Sequence, residues 1–253
     1  MRIGIAGIGG RMGRVLAEEA ARVATLVGGI DREDVATPQG TERFPGIAAL
    51  AEAADVVIDF THASTVVEHA RVLAAAGCRW VLGTTGLGAA EEAAVDTAAR
   101  RIGIVQAANF SPGVALVLAL AERIAAALPA EGYDAEIVEM HHRQKVDAPS
   151  GTALGLGRAV ARGRGVALDA VMESGRHGHT GARATGAIGF AALRGGQVVG
   201  EHTLLFAGAS EHIALTHRAF DRRVFAEGAV RAALWLDAKP AGRYGMEDVL
   251  GLR

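Results

Sequence analysis

Short apolar runs alternate with longer amphipathic stretches through the first half of the chain, a rhythm that predicts strands separated by helices. Arg2–Ala6 reads as a buried strand, followed by Gly7-Ile8-Gly9-Gly10-Arg11-Met12-Gly13 and a helical stretch to about Val23. Leu26–Ile30 is a second apolar run and ends on Asp31. Asp55–Asp59, Trp80–Gly83 and Ile102–Gln106 predict further strands, with helices from Ser64 to about Ala76 and over Ala89–Arg100 between them. Ser111 and Pro112 then open a long helix to about Leu128, with proline at the first helical position, where no N–H is needed. Strands regularly separated by helices imply a doubly wound parallel sheet, an α/β fold whose ligands bind at the carboxyl ends of its strands.

After Leu128 the pattern changes. Asp134–Met140 predicts a strand and Gly151–Arg162 a helix. Ala187–Leu193 and Val198–Phe206 are separated by Arg194-Gly195-Gly196-Gln197, a hairpin signal. Glu211–His217 alternates, with Ile213 and Leu215 on one face. These elements predict a second, α+β domain with a mixed or antiparallel sheet. We assign residues 1–110 to the first domain and 111–221 to the second. Arg222–Leu236 predicts a final helix, stopped by Pro240 and Gly242.

The chain has 253 residues, 50% of them hydrophobic, enough to bury a substantial core in two domains. Its formal charge of −2 argues against a nucleic-acid or membrane-surface partner. One cysteine, Cys78, permits no internal disulfide and no multi-cysteine metal site. Met1-Arg2-Ile3-Gly4-Ile5 looks like a strand and not a signal peptide, and the apolar run Val114–Ala121 is too short for a bilayer, so a cytoplasmic protein is expected.

Strand, glycine turn, helix, strand and acidic residue follow one another at the N-terminus, as a dinucleotide-binding unit requires. The spacing of Gly7, Gly10 and Gly13 is G-x-x-G-x-x-G, with Gly9 extra. Asp31 suits the ribose hydroxyls of NAD, and Arg32 suits the 2′-phosphate of NADP, so the pattern admits either cofactor or both. Phe60-Thr61, Gly83-Thr84-Thr85 and Ala108-Asn109-Phe110 fall at strand ends, where they would line one groove.

The densest chemistry is His141-His142-Arg143-Gln144-Lys145-Val146-Asp147-Ala148-Pro149-Ser150-Gly151-Thr152. Two histidines and a lysine supply proton donors and fixed positive charge. Proline disfavours helix before it and Ser150 is a good N-cap, so a helix starts near Gly151 and offers N–H groups to an anion such as a carboxylate. In a straight strand His141 and His142 point to opposite faces, which gives them different jobs. Zinc is not expected, since no H-E-x-x-H, cysteine pair or i/i+4 histidine pair occurs. The remaining histidines, His202 and His217 among them, are expected to be hydrogen-bonded strand residues.

Together, Gly7-Ile8-Gly9-Gly10-Arg11-Met12-Gly13, Gly83-Thr84-Thr85-Gly86, Ala108-Asn109-Phe110-Ser111 and His141-His142-x-x-Lys145-x-Asp147-Ala148-Pro149-Ser150-Gly151-Thr152 resemble the dihydrodipicolinate reductase family. Gly178-His179-Thr180-Gly181, Gly200-Glu201-His202-Thr203 and Gly228-Ala229-Val230-Arg231 carry the resemblance over nearly the whole chain. It implies a Rossmann-like dinucleotide-binding domain completed by residues 222–253, a substrate-binding domain with a mixed sheet, and a homotetramer built on that sheet. It implies hydride transfer from NADH, NADPH or both to a cyclic imine dicarboxylate in diaminopimelate and lysine biosynthesis. By motif position, His141 is the general acid, Lys145 a second proton donor or polarising cation, and His142, Gly151 and Thr152 substrate contacts. Gly7, Ile8, Gly9, Gly10, Arg11, Met12, Asp31, Arg32, Gly83, Thr84, Thr85, Ala107, Ala108, Asn109 and Phe110 line the cofactor. Two features depart from the family pattern: a short Asp31–Phe44 connection, and His62 where some relatives carry arginine. Aspartate and diaminopimelate dehydrogenases share the glycine turn but are not expected to carry the long motif. A non-catalytic NAD(P) sensor has no use for an acid, a cation and an anion-binding helix start so close together.

Overall fold

Alternation in the sequence becomes alternation in space: β1 (Arg2–Ala6), α1 (Arg11–Val23), β2 (Thr25–Ile30), α2 (Ile47–Ala53), β3 (Val56–Asp59), α3 (Ala63–Ala76), β4 (Arg79–Leu82), α4 (Ala89–Ala99) and β5 (Gly103–Gln106) follow in turn. The computed structural model describes residues 1–252. They divide into one unit of residues 1–112 with the segment from Arg222 onward, and a second of Gly113–Asp221. The second contains nearly all of α5 (Pro112–Ala127), then β6 (Asp134–His141), α6 (Gly151–Gly163), α7 (Leu168–Val171), β7 (Met172–Ser174), β8 (Ile188–Arg194), β9 (Gly200–Ala207) and β10 (His212–Ala219). The chain then returns to the first unit with α8 (Arg223–Leu236), β11 (Gly242–Tyr244) and α9 (Met246–Val249).

In the first unit six strands lie in the order β11-β5-β4-β3-β1-β2, and every neighbouring pair is parallel. Parallel strands need crossovers and are covered on both faces, so they read as continuous apolar runs. All four residues of β3 are buried, as are Trp80, Val81 and Leu82 of β4. Leu50, Ile58 and Leu73 are fully buried, and each contributes about 1.5–3 kcal/mol of burial free energy. Because β2 lies on one side of β1 and β3 on the other, the winding reverses between β1 and β3, and this is where such a sheet binds ligands. α8 packs against α1, β3, β4 and β5, which gives the C-terminal helix its destination. β11 adds an edge strand beyond β5 that the breakers Pro240 and Gly242 concealed in the sequence.

The second unit has a five-stranded sheet in the order β10-β9-β6-β8-β7. β6 pairs parallel with β8 and antiparallel with β9, so the sheet is mixed. The hairpin expected from Arg194-Gly195-Gly196-Gln197 does not form, because β6 lies between β8 and β9. The turn instead straddles the end of β6: Gly195 N–H donates to His141 O at 2.9 Å and Arg143 N–H to Gly196 O at 3.3 Å. A local turn signal cannot report that a third strand already occupies both partners. Ala135, Ile137, Glu139 and His141 of β6 and Gly200, His202, Leu204 and Phe206 of β9 are buried on one face. α6 packs against this sheet and buries Leu156 and Val160 in the same core.

Candidate active site

In the first unit, the glycine turn after β1 is built by close backbone approach. Gly7 has φ +82°, a left-handed conformation that side chains resist. A Cβ on Gly13 would overlap Gly7 O, so this glycine lets α1 approach the turn. The turn borders a cleft of about 710 Å³, lined by Gly7, Gly10, Ile30, Asp31, Arg32, Phe60, Thr61, His62, Thr65 and His69 among others. Residues following β1, β2 and β3 thus meet at the reversal point.

Asp31 is less free than a simple ribose acceptor. One carboxylate oxygen takes the Gly9 N–H at 2.8 Å and the other takes the Arg32 N–H at 2.8 Å. The residues after it fold back over the glycine turn. Arg14 donates to Gly9 O and Ala36 O, while Arg43 donates to the carbonyls of Asp31, Arg32 and Val35. The short Asp31–Phe44 connection is therefore a fastened flap. Arg32 is exposed, with an ion pair to Asp34 at 3.8 Å. His62 is the N-cap of α3 and accepts from Ser64 N–H at 3.3 Å.

Ile8 is fully buried and offers only backbone to a ligand. Arg11 is exposed and Met12 half-buried at the start of α1. Gly83, Thr84, Thr85 and Ala107–Phe110 do not line the 710 Å³ cleft. They follow β4 and β5 on the same sheet edge, where the Phe60 ring lies against Gly83 and 5.5 Å from the Phe110 ring. The Thr84 hydroxyl is buried with no hydrogen-bond partner, a polar atom left for a ligand to satisfy. A dinucleotide fits these residues.

A buried network beside the cleft escaped the sequence reading. Asp59, with no exposed surface, takes hydrogen bonds from His69 at 2.7 Å, from Trp80 at 3.3 Å and from the Thr61 N–H and hydroxyl at 3.1 and 2.6 Å. It sets the turn that carries Thr61 and His62 into the cleft.

In the second unit His141 and the start of α6 come together. His141 is the last residue of β6 and faces inward. Its Nδ1 lies 2.5 Å from Glu139 Oε2, and its ring meets that of His202 edge-on, with centroids 5.0 Å apart. The Ser150 side chain caps α6 by accepting the Ala153 N–H at 3.2 Å and lies 3.1 Å from His202 Nε2. No atom stands within 4 Å of where a Cβ on Gly151 would be, so space beside the helix start is open. Lys145 pairs with Asp147 at 2.8 Å. His142 lies beyond the end of β6, so strand alternation does not govern it. Its Nδ1 is buried without a partner.

Burial lowers the His141 pKa, the Glu139 carboxylate opposes that shift, and the positive charges of Lys145 and Arg194 reinforce it. For Glu139, burial acts upward, but hydrogen bonds from Arg194 and His141 together prevail and hold its carboxyl below the usual range. Burial, reinforced by His141, pushes His202 down to about 4, so this neighbour is neutral at pH 7. His202 is the hydrogen-bonded strand residue expected, and it also packs against the His141 ring. Glu139 was legible in principle, since residues two apart on a strand share a face. Arg194 was not, because its approach depends on β8 pairing with β6. Among the described residues no group of three or more His, Cys, Asp or Glu side chains is placed to hold a metal ion.

A glycine turn at the reversal point of a parallel sheet, and a buried histidine–glutamate pair beside an open helix start on a second sheet, suit a nicotinamide-nucleotide-dependent oxidoreductase of two units. The N-terminal model of dihydrodipicolinate reductase matches residues 1–110 and the C-terminal model matches residues 113–250. The chain belongs to the dihydrodipicolinate reductase family. It is 66% identical over 255 residues to the 4-hydroxy-tetrahydrodipicolinate reductase of Granulibacter bethesdensis, covering 100% of this chain and 98% of that one. It is 64% identical over 253 residues to the enzyme of the same name from Acidiphilium cryptum, with the same coverage. Among solved structures, the dipicolinate-bound dihydrodipicolinate reductase of Paenisporosarcina sp. TG-14 superposes with a TM-score of 0.80 at 26% identity, over 98% of each chain. An aspartate dehydrogenase from Thermotoga maritima superposes with a TM-score of 0.53 at 9% identity, over 95% of this chain and 98% of that one, and shares the fold alone.

Proposed function

We propose that this protein reduces 4-hydroxy-tetrahydrodipicolinate to tetrahydrodipicolinate with NAD(P)H, in the synthesis of diaminopimelate and lysine. The observation that carries the reading is the buried His141–Glu139 pair beside the open start of α6. Bound NAD(P)H supplies a hydride, and the protein must supply the proton and hold the substrate. His141 is the general acid. Lys145 withdraws electron density from the conjugated imine, and a positioned cation of this kind stabilises the charge that develops there. His142 contacts substrate, while Gly151 and Thr152 hold one substrate carboxylate at the positive end of the helix dipole.

The cofactor lies along Gly7–Met12, Asp31, Arg32, Gly83–Thr85 and Ala107–Phe110. Asp31 favours NADH and the exposed Arg32 is available to a 2′-phosphate, so both cofactors are used. Residues 1–110 with 222–253 form the dinucleotide-binding domain and 111–221 the substrate-binding and oligomerisation domain. The protein is a cytoplasmic homotetramer assembled through the outer face of the second sheet. That reading is supported by Val138 and Leu193, which are 41% and 50% exposed on the face opposite α6. No helix among the described residues is long and apolar enough to cross a membrane.

The test is oxidation of NADH and of NADPH with freshly made dihydrodipicolinate synthase product. Turnover with both is expected, and none with either would refute the activity.

A further inference from the structure

Glu139 stands two residues before His141 on the inner face of β6 and is only 2% exposed. Its two oxygens receive four donors: His141 Nδ1 at 2.5 Å, Ser150 N–H at 3.1 Å, and two Arg194 nitrogens at 2.8 Å each. Arg194 also donates to Asp147 O at 2.6 Å, which ties the loop between the acid and the helix to the same point. A buried carboxylate with so many donors stays ionised.

We propose that Glu139 is the positioning residue for proton transfer: it holds His141 through Nδ1, leaves Nε2 as the reacting nitrogen, and fixes that nitrogen relative to the start of α6 through Ser150 N–H. The proposal rests on His141 being the acid. As the new C–H bond forms on substrate, the Nε2–H bond breaks and its electron pair stays on nitrogen. NAD(P)H supplies the hydride of the same turnover, and solvent returns the proton. Glu139 favours the charged imidazolium before the transfer and the Nδ1–H tautomer after it. Gly200 leaves room beside the reacting nitrogen, since a Cβ there would stand 3.0 Å from His141 Nε2. The remaining groups facing the ring are Lys145 from the loop, Arg194 from β8 and His202 from β9, with His217 on β10 paired opposite His202.

The experiment is the pH profile of kcat for the full-length protein and its Glu139→Gln, Glu139→Asp, Arg194→Met and His141→Gln variants, with NADH affinity measured alongside. The wild-type kcat falls as pH rises through the acid's pKa. Glu139→Gln removes the group that raises that pKa, so the fall moves down by about one pH unit or more, with NADH affinity unchanged. Glu139→Asp restores the wild-type position. Arg194→Met removes a positive charge and moves the fall upward. Opposite displacements from two partners of one ion pair are not what loss of structure produces. An unmoved profile in Glu139→Gln would overturn the proposal even if kcat dropped. If Glu139→Gln does not fold, an unmoved profile in Arg194→Met overturns it. Full kcat in His141→Gln would instead remove the acid assignment on which it rests.

Discussion

At the scale of single residues, a carboxylate works through what it accepts. Asp31 already takes the Gly9 and Arg32 N–H groups, so it shapes the glycine turn as well as facing the cleft. On the proposed cofactor placement, Asp31→Ala loosens the turn for either cofactor and removes an acceptor suited to an unphosphorylated ribose. We expect NADH and NADPH both to bind more weakly, with NADH losing more, on the order of tenfold, as one charge-assisted hydrogen bond warrants. Fluorescence titration checks this, and equal losses would mean that Asp31 acts on the turn alone. His141 and Lys145 stood out in the sequence because their spacing is distinctive. Glu139 was not singled out and the partner of His202 was not foreseen, because a strand residue's contacts depend on neighbours distant in the chain.

Among the elements, α8 illustrates how closely helices and loops can meet. A Cβ on Gly228 would overlap Phe110 O, so the helix touches the backbone that follows β5. Alanine within a helix gains about 1 kcal/mol of propensity over glycine. Overpacking against backbone costs about 1–3 kcal/mol, and backbone cannot rotate aside. The clash wins, and Gly228→Ala is expected to lower the urea midpoint; a rise would show that α8 shifts freely. The strands and long helices of the first unit were readable from apolar runs to within a residue or two. β11 was hidden by Pro240 and Gly242, and the β8–β9 hairpin was misread because strand order is a non-local property.

For the whole molecule, stability follows from which charges folding buries. Folded His202 has a pKa of about 4 against an ordinary 6.5, so between those values the unfolded chain binds a proton that the folded chain refuses. Stability from this residue is complete above about pH 6.5 and declines as pH falls toward 4, by roughly 3 kcal/mol at most. His141 and His217, whose pKa values are also lowered chiefly by burial, act in the same direction. The urea midpoint of the Gly113–Asp221 unit is expected to be clearly lower at pH 5 than at pH 7.5. Equal midpoints would mean that His202 takes up its proton without unfolding.

Local pattern and spacing determined the alternation of strand and helix, the glycine turn, the helix start at Ser150 and the family motif, since these depend on residues near one another in the chain. The return of the C-terminal segment to the first domain came from the family resemblance and not from local pattern, while tertiary structure alone decided that β6 separates β8 from β9 and that Arg194 and His202 meet Glu139, His141 and Ser150. Strand order and desolvation depend on partners distant in the chain, and such partners shift the pKa values of His141 and Glu139.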